Sequence, residues 1–143
     1  IWTVNVPRYT EGPWLSKRAG KYYLIYASAG RNHQEAIDYA MATSMKGPWI
    51  HQGQVTGGGE NSFTNHPGVI EFKDQWYLFY HNATLELDGH KGAIGRRSVC
   101  VDKFTYNPDG TMTYVAQSNL RSEPAEGNVP WAKYPRITED GRA

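Results

Sequence analysis

The residues predict an all-β fold assembled from β-propeller blades. Three features predict it: an internal repeat, a strand-forming composition, and turn chemistry between the strand-like runs. Lys21-Tyr22-Tyr23-Leu24-Ile25-Tyr26 is echoed by Gln75-Trp76-Tyr77-Leu78-Phe79-Tyr80 at an offset of 54 residues, an offset that Pro13 and Pro67 share. A period of about 50 with roughly four strands per unit marks a propeller blade. Ten Tyr, five Trp and four Phe beside fifteen Gly and eight Pro favour strands and turns over long helices. A β-sandwich also places turns about every 8–12 residues, but it does not call for the repeat.

The first unit covers residues 8–55. Its innermost strand carries Thr10 to Trp14, and Ala19-Gly20 turns the chain into Lys21 to Tyr26. Ala36 to Ala42 is the next strand, and Lys46-Gly47-Pro48-Trp49 leads into Ile50 to Val55. The second unit covers residues 63–115. Lys73-Asp74 turns into Gln75 to Tyr80, and Arg97 to Val101 follows. Asn107-Pro108-Asp109-Gly110 then leads into Thr111 to Val115, with Asp109-Gly110 supplying the positive-φ positions of a tight turn. Residues 1–115 are thus read as later blades of a propeller domain, and residues 116–143, polar and containing Pro124, Pro130 and Pro135, as a C-terminal extension.

Two blades do not close a ring, which takes at least about four. Left open they expose apolar faces and unpaired edges. The chain is therefore expected to supply about two to two and a half blades of a larger propeller. The rest would come from an N-terminal portion, a second polypeptide or an oligomeric partner. Ile1-Trp2-Thr3-Val4, without Met or a charged n-region, reads as a cut, a mature end or a fragment boundary and not as a signal peptide.

Fifteen Lys and Arg against fourteen Asp and Glu give a net charge of +1 with no block of one sign. A nucleic-acid partner would need a basic face or stripe, so none is expected. No apolar run approaches a membrane span, so no membrane partner is expected either. Lys17-Arg18 reads as a solvated turn. The single Cys100 excludes an internal disulfide framework and a cysteine zinc site, and its strand-like setting predicts a buried, inert thiol. Asn82-Ala83-Thr84 fits a glycosylation sequon, a tripeptide too common to assign a compartment.

The 54-residue offset sets Glu11 against Asn65, which His66 and Pro67 follow. A carboxyl, an amide and an imidazole are thereby expected at similar depths on adjacent innermost strands, converging on one axial funnel.

Thr10-Glu11-Gly12-Pro13-Trp14 with Lys21 to Tyr26 behind it, Ser62-Phe63-Thr64-Asn65-His66-Pro67-Gly68, and Gly95-Arg96-Arg97-Ser98-Val99-Cys100-Val101-Asp102 with Tyr106 to Gly110 behind it resemble, in that order, glycoside hydrolase family 43. The resemblance spans about residues 8–115. It implies a five-bladed propeller and an inverting enzyme acting on xylo- or arabino-saccharides, of the β-xylosidase or α-L-arabinofuranosidase type, with no organic cofactor. It implies that Glu11 is the general acid. An inverting glycosidase uses one carboxyl to protonate the leaving oxygen and a second, about 6.5–9.5 Å away, to activate water. Pro13 and Trp14 would stiffen and wall the donor.

The resemblance places His66 at the bottom of the funnel as a substrate-site residue, beside or ligating a central Ca2+ through water. A lone imidazole is a poor calcium site, and a core histidine that braces the blades is the alternative. His81, ending an apolar strand, reads as structural. Arg96 is implied to reach the sugar in the first subsite, where a guanidinium fork can hold two hydroxyls. Arg97 is the adjacent choice, since strand alternation sends the two to opposite faces. Phe63 is either an apolar wall for a sugar ring or an ordinary core aromatic. Trp2, Trp14, Trp49 and Trp76 are expected to pack between blades, and the loop from Leu85 to Gly95 to shape the funnel rim.

The family uses three carboxylates, and its general-base Asp and its acid-tuning Asp both precede the acid. Only ten residues precede Glu11 here, and none is Asp or Glu. Asp38, Asp74, Asp88, Asp102 and Asp109 lack the family context, so none is assigned as base. The base is expected from the N-terminal half of the propeller. A non-catalytic, carbohydrate-binding propeller fragment is the alternative function.

Overall fold

In the computed structural model, which describes residues 3–86 and 90–118, the chain forms two antiparallel sheets. The first contains β1 (Tyr9–Arg18), β2 (Lys21–Ala29), β3 (Glu35–Ala42) and β4 (Ile50–Thr56), ordered as in the chain. The second contains β5 (Gly68–Phe72), β6 (Gln75–Asn82) and β7 (Ser98–Phe104), again in chain order. Helix among the described residues is confined to a 3-10 turn at Arg31–His33.

The repeat reflects real equivalence. β2 and β6 begin 54 residues apart, and each is entered by a two-residue turn whose central residues both have positive φ: Ala19 and Gly20 at 47° and 77°, Lys73 and Asp74 at 50° and 60°. That backbone twist matches the twist of the flanking strands. Alternation along β2 and β6 then decides which side chains meet. Tyr23, Ile25, Ile37, Tyr39, Met41 and Val55 of the first sheet pack against Val69, Leu78, Tyr80 and Phe104 of the second, with Met112 and Val115 closing the core. Each such side chain, fully buried, contributes about 1.5–3 kcal/mol.

The far faces are treated unequally. Tyr26, Ala40 and Leu24 on the back of the first sheet are covered by Val4, Val6 and Trp49. On the back of the second sheet Ile70, Phe72, Phe79 and Val99 stand exposed, and the edge strand β1 exposes Tyr9, Trp14 and Leu15. The sheets are open.

Several expectations need correcting. Thr111 to Val115 does not add a fourth strand to the second sheet. It makes an isolated bridge, Tyr106 to Met112, and then crosses to the first sheet, where the Val115 amide donates to the Val55 carbonyl at 2.8 Å and the Thr56 hydroxyl to the Val115 carbonyl at 2.8 Å. The preceding turn is tied to the first sheet by Lys21 Nζ to the Asp109 carbonyl (2.7 Å) and the Tyr23 hydroxyl to the Gly110 carbonyl (2.8 Å). Within that turn Gly110 has positive φ and Asp109 does not. Lys17 and Arg18 are not a solvated turn: they end β1, with Lys17 over the Tyr22 ring at 5.0 Å and Arg18 over Tyr106 at 4.3 Å. Trp14 is 43% exposed on the edge strand and joins neither core among the described residues, whereas Trp49 and Trp76 do join the cores. Trp2, Asp88 and the extension beyond residue 118 lie outside the described residues.

Candidate active site

One end of both sheets gathers the starts of β1 and β3, the ends of β4 and β6, and the approaches to β5 and β7. Glu11 lies near the start of β1, where the ladder to β2 slips on both sides of it, between Tyr9 and Glu11 and again between Glu11 and Trp14. Such irregularities re-aim a side chain. Gly12 carries the local twist at φ +58°, and a Cβ added there would lie 3.1 Å from Cγ of His66. Glycine is needed here twice, for the backbone angle and for the approach of the imidazole.

His66 and Glu11 meet as the repeat predicts, though by a different route. Asn65 and His66 are not strand residues; they run up to β5, which starts at Gly68 after the buried Pro67. Nε2 of His66 stands 2.9 Å from Oε1 of Glu11, at ion-pair distance, while this buried nitrogen lacks an aligned hydrogen bond. The imidazole is braced edge-on by the His81 ring, 5.6 Å away at 72°.

His81 is structural, as its place in the sequence predicts, and its tautomer follows from its partners. The His66 amide donates to Nδ1 at 3.4 Å, so the ring proton sits on Nε2 and is donated to the Thr64 hydroxyl, 2.9 Å away. Burial first, then the positive charge of Arg97 and the His66 ring, lower its pKa to about 4, which keeps the ring neutral. Asn65, fully buried, bolts the sheets together: its side-chain nitrogen donates to the Gly57 carbonyl (3.1 Å) beyond β4, and its oxygen accepts the His81 amide (3.2 Å) from β6.

Sequence reasoning missed Glu35, the first residue of β3. Its amide donates to the Phe63 carbonyl at 2.9 Å. Oε1 accepts from the Thr10 hydroxyl at 2.8 Å, Oε2 accepts from the Asn65 amide at 3.2 Å, and Oε2 lies 3.9 Å from Nε2 of His66. No sequence motif marks it; strand register brings it here, since β1 pairs with β2 near Tyr9 and Ser28, and β2 pairs with β3 at Ala29 and Glu35.

The other predicted residues lie around this cluster. Phe63 is 54% exposed in this chain. Arg96 and Arg97 both precede β7, so strand alternation does not sort them. The Arg96 guanidinium donates to the Lys91 carbonyl of its own loop at 2.8 Å, while the Arg97 charge is the one felt at His81. Asp38 is buried in β3, where it accepts from Ser28 (2.8 Å) and meets Nε2 of His51 (2.9 Å), a role in holding strands together. Asn82 of the sequon is likewise buried, its oxygen accepting from Thr84. A cavity of about 520 Å3 is lined by Arg8, Arg31, Gln34 and Gln54; Glu11, Glu35 and His66 form no part of its wall, though Gln34 and Ala36, which do, flank Glu35.

Glu11, Glu35 and His66 each offer a ligand atom within 4.8 Å of the others. Calcium takes about six to eight oxygens, and two carboxylates with one imidazole nitrogen supply too few of them. This donor set does not fit a directly ligated calcium ion.

A family model, glycosyl hydrolases family 43, matches residues 2–112. A xylosidase/arabinosidase of Bacteroides ovatus is 34% identical over 108 residues, 76% of this chain and 31% of that protein. A beta-xylosidase of Xylanibacter ruminicola is 32% identical over the same 76% of this chain, again 31% of the relative. Among solved structures, a GH43_1 enzyme from Xanthomonas citri superposes with a TM-score of 0.65 at 34% identity, covering 76% of this chain and 30% of that one. The chain thus spans about a third of the length of these relatives.

Proposed function

This chain belongs to glycosyl hydrolase family 43, and from that premise we propose that it is the acid-bearing part of an inverting β-xylosidase or α-L-arabinofuranosidase acting on xylan- or arabinan-derived saccharides. The observation that carries this is Glu11, half exposed on an irregular stretch of β1 and backed by His66 at 2.9 Å. A substrate can reach such a carboxyl, and the brace behind it limits its rotamers. Glu11 protonates the leaving glycosidic oxygen, while a carboxylate on the opposite side activates water. Glu35 is not that base. It lies within 4.8 Å of Glu11, whereas an inverting pair stands about 6.5–9.5 Å apart to admit the water.

The base therefore comes from the N-terminal part of a five-bladed propeller of which this chain supplies about two blades. The bare face of Ile70, Phe72, Phe79 and Val99 and the open edge of β1 support that completion. The exposed Phe63 ring walls a sugar, and Arg96 or Arg97 holds its hydroxyls. A calcium ion would meet His66 through water, and no step depends on it.

The test mixes the chain with the N-terminal part of a family 43 propeller and offers phenyl β-xyloside and phenyl α-arabinofuranoside, aryl glycosides whose unactivated leaving groups need protonation. Hydrolysis in the mixture and not with either part alone, falling by about 10²–10⁴-fold in Glu11→Gln, supports the proposal. Equal rates with and without the Glu11 carboxyl sink it, and the product anomer by NMR reports inversion. Saccharide binding without any hydrolysis would favour a non-catalytic binding fragment, the reading consistent with the missing base.

A further inference from the structure

We propose that Glu35 is a positioning residue for the proton donor. It grips Thr10 and Asn65, the chain neighbours of Glu11 and His66, and so sets how the donor and its brace meet. The inference rests on the reading of Glu11 as general acid.

The two oxygens of Glu35 divide the work between the sheets. Oε1 takes the Thr10 hydroxyl at 2.8 Å on β1, and Oε2 takes the Asn65 amide at 3.2 Å on the approach to β5. The single proton of the Thr10 hydroxyl is shared between Glu35 and the Ala27 carbonyl, which lies 2.8 Å away across the point where the ladder slips. Asn65 in turn is bolted to Gly57 and His81. Glu35 itself is anchored through its amide to the Phe63 carbonyl and stands at the head of a strand paired on both sides, so the grip is rigid. Losing it frees Glu11 on an exposed edge strand, where the slipped ladder offers little restraint. A displacement of about 1 Å at a reacting group is enough to cost about 10²-fold in rate.

Glutamine can replace this grip. Its amide oxygen accepts from Asn65 and its nitrogen donates to Thr10, whose hydroxyl still serves Ala27. Alanine cannot.

The experiment uses the chain completed by the N-terminal part of the propeller and compares two β-xylosides. One has a poor leaving group that needs protonation, such as xylobiose, and the other an activated one, such as 2,4-dinitrophenyl xyloside. Glu35→Ala is expected to lose about 10²-fold in kcat on the poor leaving group and less than about tenfold on the activated one. Glu35→Gln is expected to recover most of the loss. Equal losses on both substrates, no loss at all, or a glutamine variant as impaired as alanine would each overturn the proposal. Glu11→Gln, measured in parallel, separates the two failures. If it shows no leaving-group dependence, Glu11 is not the donor, and the role given to Glu35 falls with it.

Discussion

Acid should loosen the joint between the two sheets through His81. Its folded pKa is lowered to about 4, against an ordinary value of 6.5, because the buried ring is harder to charge. Between those values the unfolded chain binds more protons than the folded one, so stability is complete above pH 6.5 and declines as the pH falls towards 4. From about pH 7.5 to about pH 5 the loss integrates to roughly 2 kcal/mol. A structural cost accompanies it, since a charged ring can no longer accept the His66 amide at Nδ1. Urea melts of the completed protein across this range measure the total. His81→Asn keeps an acceptor near Nδ1 but cannot titrate, so wild type minus variant isolates the contribution of this ring. A difference that stays flat with pH, or a His81 resonance that titrates near 6.5 by NMR, would refute the reasoning.

Gly12→Ala should cost about 1–2 kcal/mol from the left-handed backbone. It should also reduce hydrolysis on poor leaving groups, because the added methyl at 3.1 Å displaces His66; melts and rate measurements on one preparation check both. Asn65→Ala strands the His81 amide, while the Gly57 carbonyl keeps the Gln117 side-chain nitrogen at 2.9 Å; the cost is about 1–3 kcal/mol for the unsatisfied group, read as a fall in the denaturant midpoint without a change in slope. Cys100 is half buried, and burial raises its thiol pKa. Alkylation at neutral pH should therefore run well below the rate of a free cysteine and recover on unfolding.

Sequence alone disclosed the parts of this protein that depend on local rules. Alternation and turn chemistry identified β2 and β6, both two-residue turns, and the repeat that links them, since side-chain period and positive φ are properties of a few neighbouring residues. The repeat likewise set Glu11 opposite Asn65 and His66, while the motif around Glu11 was legible only through its resemblance to family 43. Packing of the two sheets decided the rest. Thr111 to Val115 left its expected sheet because Lys21 and Tyr23 of the other sheet hold the turn before it. Arg96 and Arg97 could not be sorted by alternation because neither belongs to a strand. Glu35 carried no motif at all. Its place beside Glu11 and His66 depends on two strand registers and an inter-sheet loop meeting at one point, which is a property of the assembled chain and not of any segment of it.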